Sequence, residues 1–128
     1  MKRILIVEGD PSVREFLIQV FEKWNYEVDS TACGREAVGR ARSSAYSLYL
    51  IAAALPDEPG IDLCRQLSAL DGGTPIVVFS KENGNVTLAV EAGANAYVRT
   101  GSGLGSLLNQ ALSLIADTTA PKRTQQEA

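Results

Sequence analysis

Residues 48–63, LYLIAAALPDEPGIDL, carry the pattern that decides the fold. The run from Leu48 to Leu55 contains no charged or strongly polar residue, as is typical of a strand covered on both faces. Pro56 ends this run, and residues 57–60 supply turn-forming side chains before a helical pattern begins. In a doubly wound sheet, ligands and catalysis are found at the carboxyl ends of such strands, so the end of this strand predicts the position of a functional site.

Strand-length apolar runs and amphipathic helical patterns alternate five times along the chain. Ile4 to Val7 is the first apolar run. Asp10 followed by Pro11 then predicts the start of a helix, and Asn25 predicts its end. Strands that alternate with helices predict an α/β fold of three layers: a doubly wound, five-stranded parallel sheet with right-handed crossovers and helices on both faces.

The chain of 128 residues is long enough for one domain with a sizeable core. We predict that this domain spans residues 1–117 and that residues 118–128 are a polar tail or the start of a linker. The net charge of −3 disfavours a phosphate-binding surface. The largest basic group, Arg35, Arg40 and Arg42, is interrupted by a glutamate and is interpreted as a solvated helix face. We therefore expect no direct binding of nucleic acid by this domain.

Several other classes of protein are excluded by composition. The chain has no histidine, which excludes ordinary zinc sites and every histidine-based catalytic triad. Cys33 and Cys64 are too few for a disulfide framework and have no CxxC spacing, so we expect reduced thiols that serve in packing. The apolar run at the amino terminus is too short for a signal peptide, and no stretch approaches the length of a membrane span. We expect a cytoplasmic protein without a membrane partner.

With these elements placed, the chain resembles the receiver domain of bacterial two-component response regulators over nearly its whole length. Four stretches carry the resemblance: ILIVEGDPSVREFL (residues 4–17), LIAAALPDEPGIDLC (50–64), PIVVFSK (75–81) and EAGANAYV (91–98). The resemblance implies a flavodoxin-like sheet with the strand order 2-1-3-4-5.

The resemblance also implies a chemistry. In this family a strand-end aspartate takes a phosphoryl group from a histidine kinase while neighbouring acids hold Mg²⁺, and a lysine and a Ser/Thr bind the phosphoryl oxygens. The corresponding positions here are Glu8 and Gly9 for the two metal-binding acids, Ala52 for the phosphoacceptor, Thr100 for the lysine, Ser80 for the Ser/Thr and Tyr97 for the switch aromatic.

These positions indicate a degenerate phosphoacceptor pocket. The methyl group of Ala52 cannot attack phosphorus, and Glu8 alone is a poor site for an ion that dehydrates reluctantly. We therefore interpret the chain as a pseudo-receiver that is not an enzyme, needs no cofactor and acts through protein contacts. Ser80 and Tyr97 are the candidates for a retained switch or partner surface, and the partner is expected to be a kinase, an output domain or a second copy of the chain.

Three alternatives stay open at this point. Glu8 and Asp10 are weak candidates for a cation site, although Asp10 is well explained as a helix cap. Asp57 follows the strand end closely and is a candidate for a non-standard phosphoacceptor, although it is better explained as a turn residue. The third alternative is a sensor that binds a small ligand in the space vacated by the missing carboxylates beside Ala52.

Overall fold

The computed structural model describes residues 2–101 and 103–116; the predicted polar tail, residues 118–128, lies outside this range, as does residue 117. Strands and helices alternate along the described chain. Their bounds are β1 (Arg3–Val7), α1 (Pro11–Lys23), β2 (Glu27–Thr31), α2 (Gly34–Ser43), β3 (Leu48–Ala52), α3 (Gly60–Leu70), β4 (Ile76–Ser80), α4 (Val86–Glu91), β5 (Ala96–Arg99) and α5 (Gly105–Ala116).

The five strands form one sheet in the order β2-β1-β3-β4-β5, and every pair in it is parallel. Val7 pairs with Ile51, and Ala52 pairs with Phe79, so the carboxyl ends of β1, β3 and β4 meet at one edge of the sheet. The predicted fold class and strand order are confirmed.

The core consists of one apolar cluster on each face of the sheet. One cluster joins sheet residues such as Ile6 and Leu50 to α1 and α5. The other joins Val7 and Ile51 to α2, α3 and α4. Successive side chains of a strand point to opposite faces, and both faces are covered, which is why β3 is apolar at every position.

The residues that the sequence predicts to begin and end α1 do so in the structure. The Oδ1 atom of Asp10 accepts hydrogen bonds from the backbone N–H groups of Ser12 at 2.8 Å and Val13 at 3.4 Å. These bonds satisfy donors that have no partner within the helix. Just beyond α1, Asn25 adopts the left-handed conformation with φ of 70°, which asparagine tolerates better than most residues.

Candidate functional site

The predicted pocket positions lie along the carboxyl edge of the sheet. Ala52 is the last residue of β3 and is buried, with 5% of its surface exposed. Glu8 and Gly9 follow β1, Ser80 ends β4, and Thr100 follows β5. Parallel pairing of these strands therefore brings residues that are far apart in sequence to one end of the sheet, as expected for this topology.

Thr100 and Ser80 are joined through the backbone of β4. The Thr100 N–H donates to the Ser80 carbonyl at 2.6 Å, and the Thr100 hydroxyl donates to the same oxygen at 3.2 Å. The Ser80 Oγ atom accepts a hydrogen bond from the Glu82 N–H at 3.1 Å. The threonine side chain thus extends the pairing of β5 with β4 and brings no positive charge to the strand ends.

The two candidate metal ligands, Glu8 and Asp10, are held by backbone groups. The Oε2 atom of Glu8 accepts a hydrogen bond from the Asp10 N–H at 3.0 Å, while the Asp10 carboxylate caps α1. Burial raises the pKa of the Glu8 carboxyl above its ordinary value, an effect that the hydrogen bond from Asp10 opposes. Within residues 2–101 and 103–116, no group of three or more acidic, cysteine or histidine side chains is placed to hold a metal ion.

Gly9 lies under the loop that follows β3. A Cβ atom at this position would lie 3.1 Å from Cδ of Pro56 and 3.5 Å from the Ala32 carbonyl oxygen. The first of these distances is tighter than ordinary van der Waals contact, so a side chain at position 9 requires Pro56 to move by a few tenths of an ångström. The absence of a side chain at Gly9 therefore lets the loop pack close to the end of β1.

Asp57 has a role that the sequence did not reveal. Its Oδ1 and Oδ2 atoms accept hydrogen bonds from the backbone N–H groups of Gly34 at 2.9 Å and Arg35 at 3.0 Å. These bonds hold the pKa of the Asp57 carboxyl below its ordinary value. Cys33, the residue before α2, makes no side-chain hydrogen bond to the first turn of the helix. The lack of a capping side chain at this position was the sequence signal that a residue from another part of the chain caps α2.

Tyr97 is half-buried, as predicted, and its phenol ring packs on the loop between β4 and α4. A Cβ atom added to Gly84 would collide with the Tyr97 hydroxyl and ring. Gly84 is therefore the residue that leaves room for the ring in its present position. The sequence did not predict this contact, because the two residues are on different elements.

The fold and the strand-end site define a doubly wound domain of the flavodoxin-like type. The family described as "Response regulator receiver domain" matches residues 4–111, and the chain belongs to this family. The DNA-binding response regulator MtrA of Mycolicibacterium smegmatis is 36% identical over 99 residues, which are 76% of this chain and 43% of that protein. The transcriptional regulatory protein ResD of Bacillus subtilis is 31% identical over 98 residues, which are 75% of this chain and 40% of that protein.

Solved structures agree with this assignment. A CheY-like response regulator receiver domain protein from Methanospirillum hungatei superposes with a TM-score of 0.86 at 26% identity, covering 92% of this chain and 96% of that chain. The response regulator TrrA of Thermotoga maritima, in complex with Mg(2+)-BeF, gives a TM-score of 0.81 at 25% identity, covering 89% and 99%. This chain spans less than half the length of the two curated relatives, whereas it matches nearly all of both solved chains.

No helix in the described part of the chain is both long and apolar enough to cross a bilayer.

Proposed function

We propose that this chain is a receiver-type signalling module of the two-component class that works through protein contacts and without phosphorylation. The observation that carries the proposal is the side chain at the buried end of β3. Ala52 offers a methyl group where the family chemistry needs a carboxylate nucleophile. A pocket without a nucleophile has no phosphoryl step to perform, so we propose that the domain is not an enzyme.

The neighbours of Ala52 support the same proposal. Thr100 has no charge with which to stabilise a transferring phosphoryl group, and its hydroxyl is bonded to the Ser80 carbonyl. Glu8 accepts a hydrogen bond from the Asp10 N–H, and Gly9 supplies no second acid beside it, so the pair of acids that would hold a metal ion is incomplete. A domain that gains no phosphoryl group cannot use it to shift a conformational equilibrium. Its signalling state must then be set by what binds its surface.

The proposed partner surface is the face around Tyr97, α4 and α5. Val86 and Leu88 on α4 have 47% and 42% of their surface exposed and so offer apolar surface that a partner could cover. Tyr97 adds a half-buried aromatic ring with a polar tip, a residue type enriched at protein interfaces. We propose that this face binds a kinase, an output domain or a second copy, and that the domain itself, with its net charge of −3, does not bind nucleic acid.

The alternative phosphoacceptor, Asp57, is less well suited to attack phosphorus. Both of its oxygens accept hydrogen bonds from the first turn of α2, and these bonds stabilise the carboxylate and lower its nucleophilicity. A ligand-sensing role for the space beside Ala52 stays a prediction.

The proposal is tested by incubating the purified chain with acetyl phosphate and Mg²⁺ and measuring its intact mass. We expect no added phosphoryl group. The control is the triple variant Gly9→Asp, Ala52→Asp, Thr100→Lys, which restores the family side chains and should gain one phosphoryl group. A phosphoryl group on the unmodified chain would overturn the proposal, and its loss in Asp57→Asn would identify Asp57 as the acceptor.

A further inference from the structure

The loop between β4 and α4, residues 81–85, contains the pair Asn83-Gly84. This pair is the one place in the sequence where glycine follows asparagine. Every residue of the loop is exposed. Solvent therefore reaches both members of the pair.

The backbone at this pair is not held by hydrogen bonds, although its neighbours are. The Glu82 N–H donates to the Ser80 Oγ atom at 3.1 Å, and the Asn85 side chain caps the first turn of α4. Among the hydrogen bonds of the described residues, none involves the Gly84 N–H or the Asn83 side-chain amide. The Gly84 nitrogen is thus free to turn toward the side chain that precedes it.

Asn83 and Gly84 together carry the groups of an intramolecular reaction. The backbone nitrogen of Gly84 attacks Cγ of Asn83, a new C–N bond closes a five-membered succinimide, and the side-chain amide nitrogen leaves as ammonia. Water then opens the ring at one of its two carbonyl groups. The product is aspartate, or isoaspartate, in which the chain continues through the side-chain carbonyl. One water is consumed and one ammonia is released, with no change in oxidation state.

Glycine favours ring closure, because it has no Cβ atom in the way and its backbone adopts conformations that other residues avoid. Two other asparagines show what restrains the same reaction. Asn95 is buried, and its Oδ1 atom accepts a hydrogen bond from the Ile76 N–H at 3.0 Å. After Asn25, the nitrogen that would attack belongs to Tyr26, whose N–H donates to the Phe21 carbonyl at 3.1 Å.

Gly84 also lies against the Tyr97 ring. A Cβ atom on Gly84 would collide with the Tyr97 hydroxyl and ring, so the glycine backbone is in close contact with the phenol. Isoaspartate at position 83 lengthens the backbone by one methylene group just before this contact. Closely packed groups do not absorb an added methylene without moving, so Gly84 and the ring must shift relative to each other.

We propose that Asn83 is a site of spontaneous deamidation and that isoaspartate at this position displaces the Tyr97 ring. The reaction needs water as its sole co-reactant. It does not involve Ala52 and stands apart from the proposed function. A change in partner binding at the Tyr97 face is the one consequence that would rest on that function, and the test below does not use it.

The test is incubation of the purified chain in neutral and mildly alkaline buffers made with ¹⁸O-enriched water. Digestion with trypsin in ordinary water then releases residues 82–99 as one peptide, which contains Asn83, Asn85 and Asn95. We expect this peptide to gain about 3 Da at residue 83, since ring opening adds one heavy oxygen, whereas a reaction during digestion adds about 1 Da. The gain should be faster in alkaline buffer, because the attacking nitrogen must lose its proton.

Two conservative variants separate this site from general deamidation. Asn83→Gln should slow the mass gain of the peptide by about tenfold or more, because glutamine must close a larger ring. Asn109→Gln is the matched control on the exposed side of α5, and it should leave the rate at residue 83 unchanged.

Fluorotyrosine NMR of the same samples measures the effect on the ring. A second Tyr97 resonance should grow at the rate at which isoaspartate forms, which is measured by enzymatic methylation of isoaspartyl carboxylates. Asn83→Asp adds the same charge to a backbone of ordinary length and should leave the Tyr97 resonance in place. This variant therefore separates the added charge from the lengthened backbone.

Several results would overturn the inference. A folded chain that gains no mass at residue 83, whether or not the urea-unfolded chain does, would remove the site. Heavy oxygen on Asn85 or Asn95 in place of Asn83 would do the same. A Tyr97 resonance that stays in place while isoaspartate accumulates, or that shifts equally in Asn83→Asp, would refute the displacement of the ring by the lengthened backbone.

Discussion

The carboxylate of Asp57 caps the first turn of a helix that begins 23 residues earlier in the chain, since its Oδ1 atom accepts a hydrogen bond from the Gly34 N–H at 2.9 Å. This bond ties the loop after β3 to α2. Glu58 lies beside the same turn, where its carboxylate occupies the space that a side chain at position 34 would need. The two acids lie at the positive end of the α2 dipole, which stabilises negative charge there.

Asp57→Asn should destabilise the fold in a pH-dependent manner. The cap lowers the Asp57 pKa in the folded state, so its contribution is present above the unfolded pKa and is lost as pH falls through the folded pKa. We expect Asp57→Asn to lower Tm at neutral pH by on the order of a few degrees. The difference in Tm between the variant and the unmodified chain should disappear in acid. Thermal unfolding from pH 7 to pH 3 measures this.

The matched control for that series is Asp62→Asn, which removes the same charge from an exposed ion pair with Arg65. Exposed pairs contribute little to stability, so this variant should change Tm much less. A gap between Asp57→Asn and the unmodified chain that stayed constant over the whole pH range would contradict a role for the ionised carboxylate.

Mg²⁺ should leave the stability of the chain unchanged. A ligand stabilises a fold only when it binds the folded state, and the Glu8 and Asp10 carboxylates are committed to backbone N–H groups. We expect equal Tm values in millimolar MgCl₂ and in KCl of matched ionic strength. The double variant Gly9→Asp, Ala52→Asp rebuilds a carboxylate cluster and should gain stability from Mg²⁺. A clear rise in the Tm of the unmodified chain with Mg²⁺ would contradict the prediction that its carboxylates bind no Mg²⁺.

Gly84→Ala should displace the Tyr97 ring. The added methyl group collides with the phenol, so the ring or the loop must move, at a cost of about 1–3 kcal/mol. Fluorotyrosine NMR should show a shifted Tyr97 resonance, and urea unfolding should show the loss of stability. Gly105→Ala is the control, because a Cβ atom at Gly105 meets nothing within 4 Å. An unshifted Tyr97 signal in Gly84→Ala would rule out the contact.

Gly60→Ala and Gly39→Ala should have opposite effects on the free energy of unfolding. A Cβ atom at Gly60 would collide with the Ala52 carbonyl oxygen, which is backbone and cannot move away cheaply, so we expect a loss of about 2 kcal/mol or more. Gly39 lies inside α2 with open space around it, and alanine there should add up to about 1 kcal/mol. Urea titrations of both variants measure these changes in the free energy of unfolding. An unchanged free energy of unfolding in Gly60→Ala would contradict the close approach of Gly60 to the Ala52 carbonyl.

The candidate site was predicted in part. The resemblance to the receiver family supplied the positions of Ala52, Ser80 and Thr100, and parallel pairing of the strands places all three at one edge of the sheet. The hydrogen bond of the Thr100 hydroxyl to the Ser80 carbonyl was not predicted. Side-chain rotamers at strand ends depend on neighbouring strands, which a local pattern does not contain. The role of the pocket in phosphorylation stays a prediction.

By itself, the sequence determined the alternation of strands and helices, the buried β3 and both ends of α1. These features arise from periodic burial and from local hydrogen bonds, such as those that Asp10 accepts from residues two and three positions ahead. Each of them depends on residues that are close together in the sequence, so a local pattern is enough to predict it. Only the tertiary structure decided that Asp57 caps α2 and that Gly84 makes room for Tyr97. Each of these joins segments distant in the chain, and such contacts depend on how the packed elements meet in space.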